Sequence, residues 1–181
     1  MLKKDIRSIG DGNPGTANAW KLGGHILGTT CLLLEIGKGA IPLYAAFRYL
    51  ELPSSVTSEL MYAILFLSPI IGHAWSPFLR FHGGKAIAVT GGAWLVALGW
   101  ISVPIAILLL SLGHLTQRNH AITVTATLIG LLLTSLSSSM HAHIFLFGIT
   151  NLFILVYKHR AEYSKGIILR QWLDRVRRLV L

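Results

Sequence analysis

Gly72-His73-Ala74-Trp75-Ser76-Pro77-Phe78-Leu79-Arg80-Phe81-His82-Gly83-Gly84-Lys85 separates two apolar runs, 61–71 and 86–98, neither of which contains a charged residue. A polar loop between two such runs reads as a connection between membrane helices. It holds two histidines, Arg80, Lys85 and a Gly-Gly pair that frees the backbone for positive φ. Successive backbone N–H groups in such a turn, with a lysine beside them and a helix starting just after, can form an anion site. The same residues also suit a plain juxtamembrane loop whose basic side chains only set orientation.

Working outward, the composition fixes the class. Of the 181 residues, 53% are hydrophobic and 13% are charged. A soluble domain carries about 25% charged residues, so this is an integral membrane protein. Its length suits one domain, 1–181. The formal net charge is +9, with basic residues gathered at the chain ends and in short loops. That pattern suits an anionic lipid surface or anionic substrates and argues against a nucleic-acid partner. Cys31 is alone in an apolar run, which excludes an intrachain disulfide and a cysteine metal box. His25, His114, His120, His141 and His143 fall near span ends without a suitable carboxylate spacing. The expectation is interface residues, with no metal and no cofactor. Trp75, Trp94, Trp100 and Trp172 read as interfacial anchors.

The apolar runs give an all-α fold, a polytopic membrane helical bundle of about six spans: 26–50, 57–72, 86–98, 101–115, 122–137 and 141–157. Runs 86–98 and 101–115 are each short, and Pro104 allows either a hairpin or one kinked helix. Residues 1–24 read as a glycine-rich cytoplasmic loop and 25–157 as the membrane region. Residues 158–181 read as a basic amphipathic interfacial helix, because Lys158, Arg160, Lys165, Arg170, Arg175, Arg177 and Arg178 alternate with apolar residues. Within 1–24, Gly10-Asp11-Gly12-Asn13-Pro14-Gly15-Thr16-Ala17-Asn18 can wrap its amides around a phosphate or form two ordinary turns. Thr16 and Asn18 are candidate caps for a following helix. Glu35 and Lys38 lie inside the first span at i, i+3, and they mark either a pathway or a pair satisfied on one helix face.

With six crossings, Lys3, Lys4, Arg7, Lys21, Arg80, Lys85, Arg118 and the basic tail all fall on one side. The positive-inside rule makes that side cytoplasmic. The glycine-rich loops land there too. The candidates on that face are Arg7, Asn13, Asn18, Lys38, His73, Arg80, Lys85, His159 and Arg160, with the glycines around them. Amides and Asn donate hydrogen bonds, while Lys and Arg supply charge, as phosphate recognition requires. There is no defensible Ser-His-Asp set, reactive cysteine or carboxylate pair, so positioning and charge stabilisation are favoured over covalent catalysis.

Four elements in order carry a resemblance. They are Gly12-Asn13-x-Gly15-x-x-Asn18 preceded by Asp5-Ile6-Arg7; Glu35-x-x-Lys38-Gly39-x-x-Pro42; Gly72-His73-x-x-x-Pro77-Phe78-Leu79-x-Phe81-x-Gly83-Gly84-Lys85; and His159-Arg160. Together they resemble the bacterial glycerol-3-phosphate acyltransferases that use acyl phosphate, the PlsY family. The resemblance implies transfer of an acyl chain from acyl phosphate to the 1-hydroxyl of glycerol 3-phosphate, giving lysophosphatidic acid without metal or coenzyme A. It implies a multi-pass protein of the plasma (inner) membrane with its motifs on the cytoplasmic face, membrane lipids as surroundings, and an enzyme that supplies acyl phosphate as a partner. His73 and Lys85 become the catalytic candidates. Arg7, Gly12, Asn13, Gly15, Asn18, Lys38, Arg80, Gly83, Gly84, His159 and Arg160 become the substrate-binding candidates. His73 either deprotonates the hydroxyl or only shapes its loop.

The chain departs from that pattern. The family usually opens with a further span, whereas this sequence starts almost at the first motif. Asp11 stands where the family has Ser, Ala17 where it has Thr, His82 where it has Lys, Ala86 where it has Gly, and Glu162 where it has Asn. These changes weaken an anion site or alter its specificity. The alternative is a divergent or inactive paralogue acting as a lipid-binding or transporter-like module.

Overall fold

The computed structural model describes residues 4–50, 55–137 and 141–173. Six main helices account for most of them: α1 Thr16–Tyr49, α2 Val56–Ala74, α3 Ile87–Leu98, α4 Ser102–Thr116, α5 His120–Ser137 and α6 Ala142–Lys158, followed by the short α7 Arg160–Tyr163. Among the described residues there are no strands, only an isolated bridge between Gln117 and Leu169. Four stretches are long and apolar enough to cross a membrane: Thr16–Tyr49, Val56–Leu79, Ile87–Thr116 and Ala142–Tyr163. The helix within His120–Leu136 is apolar but shorter.

Large apolar side chains cover the outside of this bundle. Ile64, Leu108, Leu133 and Phe153 are all more than half exposed, as lipid-facing helices require. The centre is closed by Leu43, Ile70, Val89, Trp94, Phe147 and Leu155, which are almost wholly buried, so Trp94 is a core residue and not an interfacial anchor. The rings of Trp94 and Phe147 lie 5.0 Å apart, and Phe66 lies 5.0 Å from Phe147.

Hydrogen bonds fix which helix ends share a face. Lys158 at the end of α6 donates to the carbonyl of Ala74 at the end of α2 (2.7 Å). At the other ends, Glu59 of α2 accepts from the His143 amide of α6 (2.8 Å), so these two helices run parallel. Lys85, just before α3, bonds Glu162, and Asn119, just after α4, donates to the Glu162 carbonyl (3.0 Å). A straight 30-residue helix would separate its ends by about 45 Å. Runs 86–98 and 101–115 therefore form a hairpin, turning at Gly99 (φ 67°), and the kinked single helix is excluded. The described residues thus form an all-helical bundle, as the apolar runs predict.

Helices α1 and α3 cross with almost no space between backbones. A Cβ on Gly39 would stand 2.1 Å from the Val89 carbonyl oxygen, and one on Gly92 2.1 Å from that of Ile36. Small residues at a crossing let two membrane helices approach to backbone contact.

Three expectations need correction. Helix starts at Thr16, inside the stretch read as loop, and the chain then doubles back at Gly23–Gly24, where Gly24 has φ 68°. The hydroxyl of Thr16 thereby reaches Glu35, 19 residues on (2.9 Å). Neither Thr16 nor Asn18 caps the helix, because Gly15 is the N-cap and both side chains bind elsewhere. Finally, the tail is not helical throughout. After α7 the chain turns at Gly166 (φ 62°) and runs along the α4–α5 connection, Arg118 donating to the Ile168 carbonyl (2.8 Å) and Arg170 to that of Thr116 (3.0 Å). Backbone pairing overrides the amphipathic pattern there. Helix resumes at 171–173, and the rest of that predicted helix lies outside the described residues.

Candidate active site

Three segments far apart in sequence meet at Lys85. Its ammonium contacts the Asp11 carboxylate (2.6 Å), from the first glycine-rich loop, and the Glu162 carboxylate, from α7. The loop around Asp11 is closed by its own bonds. Asn18 donates to Asp11 (2.8 Å) and to the Asn13 carbonyl (2.9 Å), and the Asn13 amide donates to Asp11 (3.2 Å). Gly12 has φ 73°, and a Cβ there would lie 3.3 Å from the Arg7 carbonyl oxygen. Arg7 itself lies within a turn, Ile6–Ser8, capped by Asp5, and its side chain is exposed.

Burial of Asp11 opposes its charge, but Lys85, Asn18 and the Asn13 amide outweigh it and bring the carboxyl from its ordinary 3.8 to about 2. Burial likewise works against charge on Lys85, yet Asp11 and Glu162 hold its pKa above the ordinary 10.5. The Asp11 contribution to folding is therefore present above about pH 4 and is lost as pH falls toward 2. The Lys85 contribution persists up to its ordinary value and is lost only in strong alkali. Asp11→Asn keeps an oxygen for Asn18 and the Asn13 amide but removes the charge. In the unaltered protein, pepsin cleavage within residues 6–15 is expected to accelerate between pH 4 and pH 2. In Asp11→Asn that step should be absent, and an identical acid profile would contradict the pairing.

The loop before Lys85 is conformationally strained. Arg80, Phe81 and Ala86 all have positive φ (52°, 61° and 61°), each of which costs a non-glycine residue on the order of 1 kcal/mol. Gly83 sits against α2, where a Cβ would stand 1.9 Å from the His73 carbonyl oxygen, and Gly84 faces the His73 ring. Lys158 ties the loop down, reaching the Ala74 and Gly83 carbonyls (2.7 and 3.3 Å) with its ammonium 5.3 Å from the centre of the Trp75 ring. His73 is partly buried and lies within electrostatic reach of Glu35, Lys38 and Lys158.

The sequence candidates divide accordingly. Asn13, Gly15, Asn18, Gly83, Gly84 and Lys85 belong to segments gathered on one face. Among the described residues, no side-chain hydrogen bond or ion pair joins Lys38, His159 and Arg160 to one another. Lys38 does not pair with Glu35, whose carboxylate is taken by Thr16 (2.9 Å). His159 is buried (1% exposed), its Nδ1 sits 2.8 Å from the Leu155 carbonyl oxygen, and its Nε2 has no partner among the described residues. Arg160 turns outward over Tyr157, 4.4 Å from the ring centre, and donates to that residue's carbonyl (2.9 Å). Arg80 is exposed and unpaired among the described residues. Asn119, absent from the sequence candidates, is the residue that holds Glu162 at the site, through the carbonyls of Glu162 and Gly166 (3.0 and 2.8 Å). Its position just ahead of α5, whose first-turn Ala121 amide it caps (3.1 Å), is the only sequence signal for it.

The fold defines a polytopic helical membrane protein whose first glycine-rich loop and Gly83-Gly84-Lys85 loop meet on one face. The family model described as glycerol-3-phosphate acyltransferase matches residues 1–167. Glycerol-3-phosphate acyltransferase 1 of Thermotoga maritima is 37% identical over 180 residues, covering 90% of this chain and 86% of the relative. The glycerol-3-phosphate acyltransferase of Staphylococcus carnosus is 33% identical, covering 90% and 80%. The crystal structure of the integral membrane acyltransferase PlsY (YgiH) in its glycerol 3-phosphate form superimposes with a TM-score of 0.74 at 20% identity, over 90% of this chain and 78% of that one. Its lysophosphatidic acid form gives 0.70. The chain belongs to the glycerol-3-phosphate acyltransferase family, and it is an integral membrane acyltransferase of phospholipid synthesis.

Proposed function

We propose that this chain transfers a fatty acyl group from acyl phosphate to the 1-hydroxyl of glycerol 3-phosphate, on the cytoplasmic face of the plasma membrane. The observation that carries this reading is the convergence of the first glycine-rich loop and the Gly83-Gly84-Lys85 loop on one cation. Both substrates bear phosphate. Lys85, Asn13, Asn18, Arg7 and the amides around Gly12 and Gly15 hold one of them. Lys38, with the amides of Gly83 and Gly84, supplies the other site. His159, being buried, supports this face from behind.

The hydroxyl oxygen attacks the acyl carbonyl carbon, the carbonyl–phosphate C–O bond breaks, and inorganic phosphate departs. The hydroxyl proton passes to His73. Acyl phosphate is a mixed anhydride activated enough to need no acyl-enzyme intermediate, so the protein's work is to align two anions and offset their repulsion. Asp11 and Glu162 engage two of the three N–H donors of Lys85, which leaves the third for an arriving phosphate.

Purified protein supplied with long-chain acyl phosphate and glycerol 3-phosphate should form lysophosphatidic acid and inorganic phosphate in equal amounts. Absence of both products with active lipid surroundings would refute the assignment. His73→Ala is expected to lower kcat about 100-fold with little change in KM. Near-normal turnover would instead give the proton to a substrate phosphate oxygen and leave His73 as a shaping residue of the loop.

A further inference from the structure

On the face of the bundle opposite Lys85, Glu59 in the first turn of α2 meets His141 and His143 at the start of α6. One ligand atom from each residue lies within 4.8 Å of the other two. The sequence alone offers no carboxylate near the His-x-His pair; folding supplies one from more than 80 residues away. We infer that these three side chains form a binding site for a divalent transition metal of the zinc class.

The chemistry of the donors selects that class. Two imidazoles and one carboxylate suit zinc, whereas magnesium and calcium prefer all-oxygen shells. Zinc with bonds of about 2.0–2.1 Å sets tetrahedral donors about 3.3 Å apart. The Glu59 Oε2 to His143 Nδ1 separation is 2.8 Å, so a metal there replaces the proton between them and widens the gap slightly. His141 is exposed and free to close the remaining distance by side-chain rotation. A fourth position stays open to water.

The site is also supported from outside. The His143 ring lies parallel to Phe66 (8°, 6.1 Å) and against Tyr62 (5.3 Å), which fixes its orientation. The His141 and His143 rings stack at 5.2 Å and 18°. A simple Glu59–His143 ion pair gives no reason for a second imidazole at that distance. As metal donors both rings are neutral and the stacking carries no repulsion. Glu59 also accepts from the His143 amide (2.8 Å), which keeps the carboxylate at the mouth of α6. A bound ion would staple the starts of α2 and α6, the two parallel helices whose far ends carry His73 and Lys158.

The test uses the full chain without a histidine tag, in detergent and stripped by a chelator. Zinc is titrated against a chromophoric competitor, and cobalt(II) is added in parallel to read coordination from its visible bands. The expected result is one zinc per chain, tetrahedral cobalt bands, and an unfolding temperature that rises with zinc. Affinity should fall at least about tenfold in His141→Ala and Glu59→Gln. His141 is exposed, so its variant retains the fold, and acyl transfer measured on it reports that directly. Should Glu59→Gln fail to fold, His141→Ala decides alone. No zinc uptake, or uptake unchanged by His141→Ala, would show an ion pair only and overturn the site.

Discussion

Lys85→Ala is expected to lower kcat/KM for acyl transfer by about 10³-fold, the upper range for loss of one charge-stabilising donor. The size follows from what remains. Removing the ammonium leaves the Asp11 and Glu162 carboxylates facing one another and facing the incoming phosphate. Attraction becomes repulsion, so both KM and kcat suffer. Adding Asp11→Asn and Glu162→Gln to Lys85→Ala should recover part of the KM loss by removing that repulsion. Phosphate release at steady state reads both effects. Unaltered kinetics in Lys85→Ala would remove this residue from phosphate handling altogether.

Gly39→Val is expected to cost about 3 kcal/mol of stability, the upper range for overpacking a close contact. A Cβ at Gly39 would stand 2.1 Å from the Val89 oxygen and 3.0 Å from its carbonyl carbon, and both atoms belong to helix backbone. Neither can rotate away, so α1 and α3 must part. Parting them shifts Lys38, one residue away on α1, within a proposed substrate site, and transfer activity should fall with stability. Thermal unfolding in detergent measures the first and the transfer assay the second. A variant that unfolds at the temperature of the unaltered protein would mean the two backbones are not in contact.

Much of the bundle is legible in the residues because lipid imposes a coarse rule: uncharged apolar runs become helices, and basic loops share a face. Pro104 left the hairpin and the kinked helix equally open, since a proline is compatible with both. The bonds from Lys85 and Asn119 to Glu162, across 77 and 43 residues, decide it. Asp11 reads in the sequence as a charge misplaced in an anion site, because nothing local reveals its partner 74 residues away. Glu162 reads as a second such departure, and both prove to serve the same lysine. The tail shows the converse error. Its alternation of basic and apolar residues fits a helix well, but a helical pattern cannot register a competing backbone partner such as the α4–α5 connection.

The helices are short for their environment. Spans near 20 residues match a hydrocarbon layer of about 30 Å, whereas α3, α4 and α5 have 12, 15 and 18 residues. At 1.5 Å per residue they reach only about 18–27 Å. Lipids around that half of the bundle must therefore compress, at a fraction of a kcal/mol for each ångström of mismatch. Turnover should consequently be faster in vesicles of shorter-chain phospholipids, and the surrounding membrane would itself tune how readily this acyltransferase adds to it.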